Sequence, residues 1–328
     1  MRTNFYRVAA PLLFIMLCVS SAAKARQSTS EKQRIIIASG VRLRAEANSA
    51  SAEVARLGLG VIVKEISQST VKEQIGGVEG YWCQVALPDG KQGWVFGSLA
   101  APFDPGKRAD AYQKITSARL KVESATFAEW IDLEKFLSKA VTEITQLDAL
   151  AELEFGRLLA LKRALESIPS DKQQEPTYQN WIKPREKIVA YSEPAGLWLP
   201  QADLFWDLQK KYSALAIAER IAWEAANTLL PGECEGYIPC HLYAFNQTAG
   251  RYLKLYPQGP HANEAVDNLA EMLASFVESI SSVPRPDAVD RTEARRELPT
   301  LRAALMKTTA QKKALALKQI EMLEKHYR

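Results

Sequence analysis

The residues best suited to chemistry are few. The 328-residue chain has four cysteines and three histidines. The densest grouping is PGECEGYIPCH, which puts Cys234, Cys240 and His241 in one short loop. A structural zinc needs a full tetrahedral donor set with closely spaced thiolate pairs. This spacing is wider, no second pair follows, and His261 lies some way along the chain. A local disulfide between Cys234 and Cys240 is the expectation, with two free thiols as the alternative. A Cys–His hydrolase would need a free nucleophile beside its base. Cys83 sits in a strand-like run, and His261 and His326 stand alone. No G-x-S-x-G, P-loop, H-E-x-x-H or G-x-G-x-x-G occurs. Helical acid pairs such as Glu152 with Glu154 fit a solvated face. The chain is therefore expected to be non-enzymatic, with no cofactor and no metal.

Aromatic residues offer a different chemistry, which is recognition. In YWCQVALPDGKQGWVFGSLA, residues 81–100, tryptophans flank a Pro-Asp-Gly-Lys tetrad. Tyr81, Trp82, Trp94 and Phe96 are the candidate ligand-binding residues. Such rings give large contact area at low entropic cost. For each ring taken singly, packing in the core of a small barrel is the competing role. Cys83 shares parity with Val85 and should point inward as a small hydrophobe.

Strands must position these rings. From Arg34, RIIIASGVRLRAEAN leads into alternation at Val41, Leu43 and Ala45, and EVARLGLGVIVKEIS follows. With YWCQVAL and GWVFGSL this makes four short runs divided by turn-forming clusters. Asp-Gly in PDGK marks a hairpin. STVKEQIGGVEG reads as an insertion lengthening the loop before Trp82.

As a set, these residues resemble the bacterial SH3-like (SH3b) domain. Val41, Arg42 and Arg44 match its opening, and Gly60 and Val61 its next strand. Trp82 and Val85 match a later strand, and Asp89, Gly90, Lys91, Gly93 and Trp94 its turn. The resemblance covers residues 34–103. It implies a small β-barrel that binds a peptide or cell-wall ligand, as modules on exported proteins do.

Residues 104–328 have a helical grammar. Asp104-Pro105 suits a helix start, and Thr126 with Glu129 forms a capping-box pattern. Leu204, Leu208, Tyr212, Leu215, Ala218, Ala222, Ala225 and Leu229 make one stripe on a helix of about 30 residues. IPSDKQQEPTYQNW, SEPAGLWLP and PRPDAV read as loops, leaving about seven or eight helices. Near 241–278 a helix carrying Phe245, Ala249, Tyr252 and Leu253 meets a Tyr-Pro…Pro joint and a second helix with Ala262, Ala265 and Leu269. This resembles one tetratricopeptide-like hairpin, without the repeats of a solenoid. From Arg285 to Arg328, eleven Lys and Arg face six Asp and Glu. That pattern suits an amphipathic helix pair burying Leu301, Leu305, Leu315, Leu323 and Tyr327.

Residues 1–25 stand apart. MRTNFYR is basic, VAAPLLFIMLCV is apolar but short for a span, and SSAAKA offers an A-x-A site. A signal peptide cut after Ala25 is the expectation, with a membrane anchor as the alternative. Removing Arg2, Arg7 and Lys24 takes the formal charge from +4 to +1. That leaves no basic footprint for nucleic acid. No other stretch is apolar enough to span a membrane. At 47% hydrophobic and 24% charged residues, the chain can build a real core and is not globally disordered.

The expected class is α+β multidomain: a small SH3-like barrel, then an all-α domain, in an exported periplasmic or secreted protein. The expected partner is a peptide, cell-wall or protein ligand, with no transmembrane span after cleavage. The rival expectation is a scaffold whose helices bind the partner while the barrel is structural.

Overall fold

A computed structural model describes Met1, residues 31–280 and residues 285–328. Lys32–Arg328 form one compact unit. The signal peptide expected over residues 1–25 lies outside the described residues, Met1 apart.

Seven strands come first: β1 (Gln33–Ile36), β2 (Val41–Arg44), β3 (Glu53–Leu57), β4 (Ile62–Ile75), β5 (Val78–Ala86), β6 (Gln92–Phe96) and β7 (Ala100–Phe103). They pair antiparallel in one sheet, in the order β3-β2-β6-β5-β4-β1-β7. This corrects the expected fold class. In place of a small SH3-like barrel, the chain builds a larger seven-stranded sheet curled into a half-barrel.

Two sequence features account for the difference. Ile35 and Ile36 are consecutive, so they face opposite sides of β1. Ile36 enters the inner cluster with Val41, Leu43, Val63, Val85 and Val95. Ile35 joins Leu59 and Phe103 against the first helices. A strand buried on both faces shows no alternation. The second feature is STVKEQIGGVEG, which is not a loop. β4 and β5 run through it and turn at Gly76-Gly77, both at positive φ (58° and 82°). That is the geometry a two-residue hairpin turn demands. The PDGK turn forms as the residues dictate: Leu87 N–H donates to Lys91 O at 2.8 Å, and Asp89 Oδ1 accepts from Lys91 N–H at 3.1 Å.

The helices are α1 (Arg108–Leu120), α2 (Phe127–Glu143), α3 (Leu147–Glu166), α4 (Pro176–Ile182), α5 (Asp203–Lys211), α6 (Ile217–Ala226), α7 (Ile238–Gln247), α8 (Ala249–Leu255), α9 (Ala262–Ser279), α10 (Ala288–Lys307) and α11 (Lys313–His326). The expectation of an all-α region is also corrected. SEPAGLWLP takes part in a hairpin of β8 (Val189–Ser192) and β9 (Leu197–Pro200). Tyr191 lies opposite Trp198 there, with ring centroids 5.4 Å apart. The aromatic content of this segment favours a strand once a turn is available.

The expected long helix breaks between Lys211 and Ile217, so α6 folds back on α5. Its stripe still serves one core, because Leu208, Tyr212, Ala222 and Ala225 all enter the largest cluster. Periodicity survives such a break, which is why the sequence reads as continuous. Leu229, at the stripe's end, is exposed. The first helix of the expected hairpin likewise divides at Thr248 into α7 and α8, before the Tyr-Pro joint leads into α9. In the C-terminal pair Leu301, Leu305, Leu323 and Tyr327 are buried, but Leu315 is exposed and Ala316 and Ile320 take its place. The capping box at Thr126 and Glu129 forms. Asp104 accepts from Gly106 N–H over a short 3-10 turn that precedes α1.

Sheet and helices share a core. Ile35, Leu59 and Phe103 pack with Tyr112, Trp130, Leu133, Phe136 and Leu153. Gly60, at φ 78°, lets the Phe136 ring approach so closely that a Cβ there would lie 2.1 Å from it. Asp132 Oδ2 accepts from Leu59 N–H at 3.1 Å.

Candidate ligand-binding face

β6 fixes which rings meet solvent. Gly93 and Val95 are buried, and Val95 belongs to the inner cluster, so Trp94 and Phe96 point to the outer face. Residues directly opposite on paired strands share a face. Trp82 lies opposite Phe96, and Gln84 opposite Trp94. Arg44 lies opposite Trp94 from the other side. A row therefore crosses the sheet through Arg44, Trp94, Gln84 and Ser67, and Ser67 donates to Gln84 Oε1 at 2.7 Å.

The neighbouring row is sealed. Trp82 and Phe96 are 3% and 4% exposed and meet edge to face at 5.6 Å. Trp82 Nε1–H donates to Glu73 Oε2 at 2.7 Å. Ser49, in the β2–β3 loop, donates to the same carboxylate from its backbone N–H at 3.2 Å and from its hydroxyl. These bonds from Ser49 and Trp82, with the charge of Arg44, hold the Glu73 carboxyl below its ordinary range. The β4–β5 arm and the β2–β3 loop thus roof the aromatic pair. A Cβ on Gly80 would lie 2.9 Å from the Phe96 ring.

Of the four expected binding aromatics, two remain accessible. Trp94 is half-buried, and Tyr81, at 36% exposure, lies under the Lys72 ammonium 5.5 Å from its ring centroid. The four do not form one open groove: Trp82 and Phe96 support the face on which Trp94 stands.

Arginines complete that face. Arg42 lies directly opposite Arg56 across β2 and β3. Like charges so placed repel unless a counter-charge intervenes. Glu53 supplies it, 3.3 Å from Arg42 and 3.2 Å from Arg56. The Arg56 hydrogen bond and the charges of Arg56, Arg42 and Arg44 lower the Glu53 carboxyl pKa. Two exposed guanidinium groups share that carboxylate on the face that carries Trp94, with Arg44 in register between Glu53 and the tryptophan. Arg42 and Arg56 are absent from the expected binding set; the V-R-L-R alternation is the signal that puts Arg42 and Arg44 outward.

The residues able to do chemistry are dispersed. Cys234 and Cys240 form a disulfide with Cα atoms 5.5 Å apart. Cys83 is free and fully buried in the sheet, and burial pushes its thiol pKa up. Each histidine packs on an aromatic ring: His241 near Phe276, His261 stacked on Trp223 at 4.4 Å, and His326 edge-on to Tyr327. Among the described residues, no group of three or more His, Cys, Asp or Glu is placed to hold a metal ion. Nor, among those residues, is any helix long and apolar enough to cross a membrane. Comparison with known proteins returns no matching family model, no matching curated protein and no matching solved structure.

Proposed function

We propose that the chain is an exported, non-enzymatic binding protein that holds an acidic peptide segment on the β3-β2-β6 face. The observation that carries this reading is the Arg42–Arg56 pair sharing Glu53 on the face that carries half-buried Trp94, with Arg44 in register between Glu53 and Trp94. Guanidinium groups bind carboxylates with directional, charge-assisted hydrogen bonds. The indole adds apolar contact at low entropic cost. Export is supported by the leader pattern and by a disulfide, a bond that persists in oxidising compartments.

The test uses the chain from Arg26 onward, titrated with an Asp/Glu-rich decapeptide and with its Asn/Gln and Lys counterparts. The acidic peptide should bind best, and added salt should weaken it. Trp94→Ala, and Arg42→Gln with Arg56→Gln, should each lower affinity about tenfold or more, with unchanged circular dichroism. Equal binding of the acidic and amide peptides, or no binding by either, overturns the reading and passes recognition to the helices.

A further inference from the structure

The segment from Leu229 to Tyr237 leads from α6 into α7, and the Cys234–Cys240 disulfide ties it to the first turn of α7. Beneath it, walled also by α7 and Met272 of α9, is a cavity of about 780 Å³. That is the size of a small-molecule site. Its walls include Leu229, Leu230, Tyr243, Phe245 and Met272. Leu229 and Tyr243 are 58% and 47% exposed, among the larger apolar surfaces this chain leaves to water.

The charge around the cavity has one sign. Glu233 and Glu235 line it, and none of its described lining residues is a lysine or arginine. His241 also lines it. Both glutamates are exposed, and neither takes part in an ion pair among the described residues. Glu235 is the one non-glycine described residue at positive φ (43°), inside the loop that the disulfide closes.

We propose that this cavity binds a small organic cation with an apolar body, such as an ammonium group carrying an aromatic or short aliphatic substituent. The carboxylates face the charge, the exposed Tyr243 ring offers cation–π contact, and Leu229, Leu230, Phe245 and Met272 take the apolar part. The disulfide keeps the acidic loop at the mouth. This site is separate from the arginine-bearing face and has the opposite charge preference.

Calorimetric titration of the oxidised chain with benzyltrimethylammonium, benzyl alcohol and benzoate tests this. The cation should bind saturably, about tenfold or more tighter than benzyl alcohol, and benzoate should not bind. Glu233→Gln with Glu235→Gln, and separately Tyr243→Ala, should each weaken the cation about tenfold. Cys234→Ser with Cys240→Ser should weaken it comparably at unchanged circular dichroism. No saturable binding, equal binding of benzyl alcohol or benzoate, or undiminished affinity in the glutamine variant would each overturn the proposal. Undiminished affinity in the serine variant would overturn the role given to the disulfide.

Discussion

The two tryptophans flanking PDGK have different duties. Trp82 is buried against Phe96 and anchors Glu73 through its indole N–H, whereas Trp94 is half-buried on the outer face. Trp82→Ala removes a large buried ring and leaves the Glu73 carboxylate with one hydrogen-bonding residue fewer. Urea denaturation should show a loss of about 3–5 kcal/mol. Trp94→Ala should cost about 1 kcal/mol or less, since less apolar surface returns to water. If the Trp94 variant proved the less stable, the assignment of floor and contact would be reversed.

Between elements, the clearest polar joint ties α1 to α2. Tyr112 donates to Glu143 Oε2 at 2.5 Å, and Arg108 pairs with the same carboxylate. Burial pushes the Glu143 carboxyl pKa up, but the Tyr112 and Arg108 hydrogen bonds and the nearby positive charge outweigh it, and the net shift is down. A lowered folded-state pKa adds stability that is present above the unfolded-state value. It is lost as the pH falls through the folded one. Glu143→Gln should therefore cost about 1 kcal/mol at neutral pH, scaled down because the pair is partly solvated. Thermal denaturation should show the gap to the parent chain narrowing below about pH 4. A gap that stayed constant into acid would assign the joint to packing alone. Burial also raises the Tyr112 hydroxyl pKa, to about 12, as do its bonded Glu143 carboxylate and that group's charge.

For the whole molecule, the sheet is not insulated from the helices. Ile35, Leu59 and Phe103 present an apolar face to α1 and α2, with α3 packed behind those helices in the same cluster, and Phe136 lies over Gly60. A fragment of residues 32–103 would return that face to water, and a small sheet has little stability in reserve. It should show no sharp thermal transition, while residues 32–166 should show one. Sharp, reversible melting of the shorter fragment by circular dichroism would make the shared core dispensable.

The local features were legible in the residues alone. Asp89-Gly90 set a turn because their backbone preferences need no distant partner, and Thr126 with Glu129 capped a helix for the same reason. Cys234 and Cys240 lie close enough along the chain for a loop to bring them together, and Cys83 took its inward place from simple alternation with Val85. The tertiary structure decided whatever depended on a partner. Ile35 and Ile36 were visible only as an apolar run until helices covered one face of β1. STVKEQIGGVEG became strand because β4 and β5 pair across Gly76-Gly77, which turned an expected loop into a roof for Trp82. The break between α5 and α6 hid behind an unbroken stripe, since both helices face one core. Which tryptophan is sealed and which stays accessible was settled by Glu73, brought over Trp82 across the β4–β5 turn, and by Ser49 from the distant β2–β3 loop.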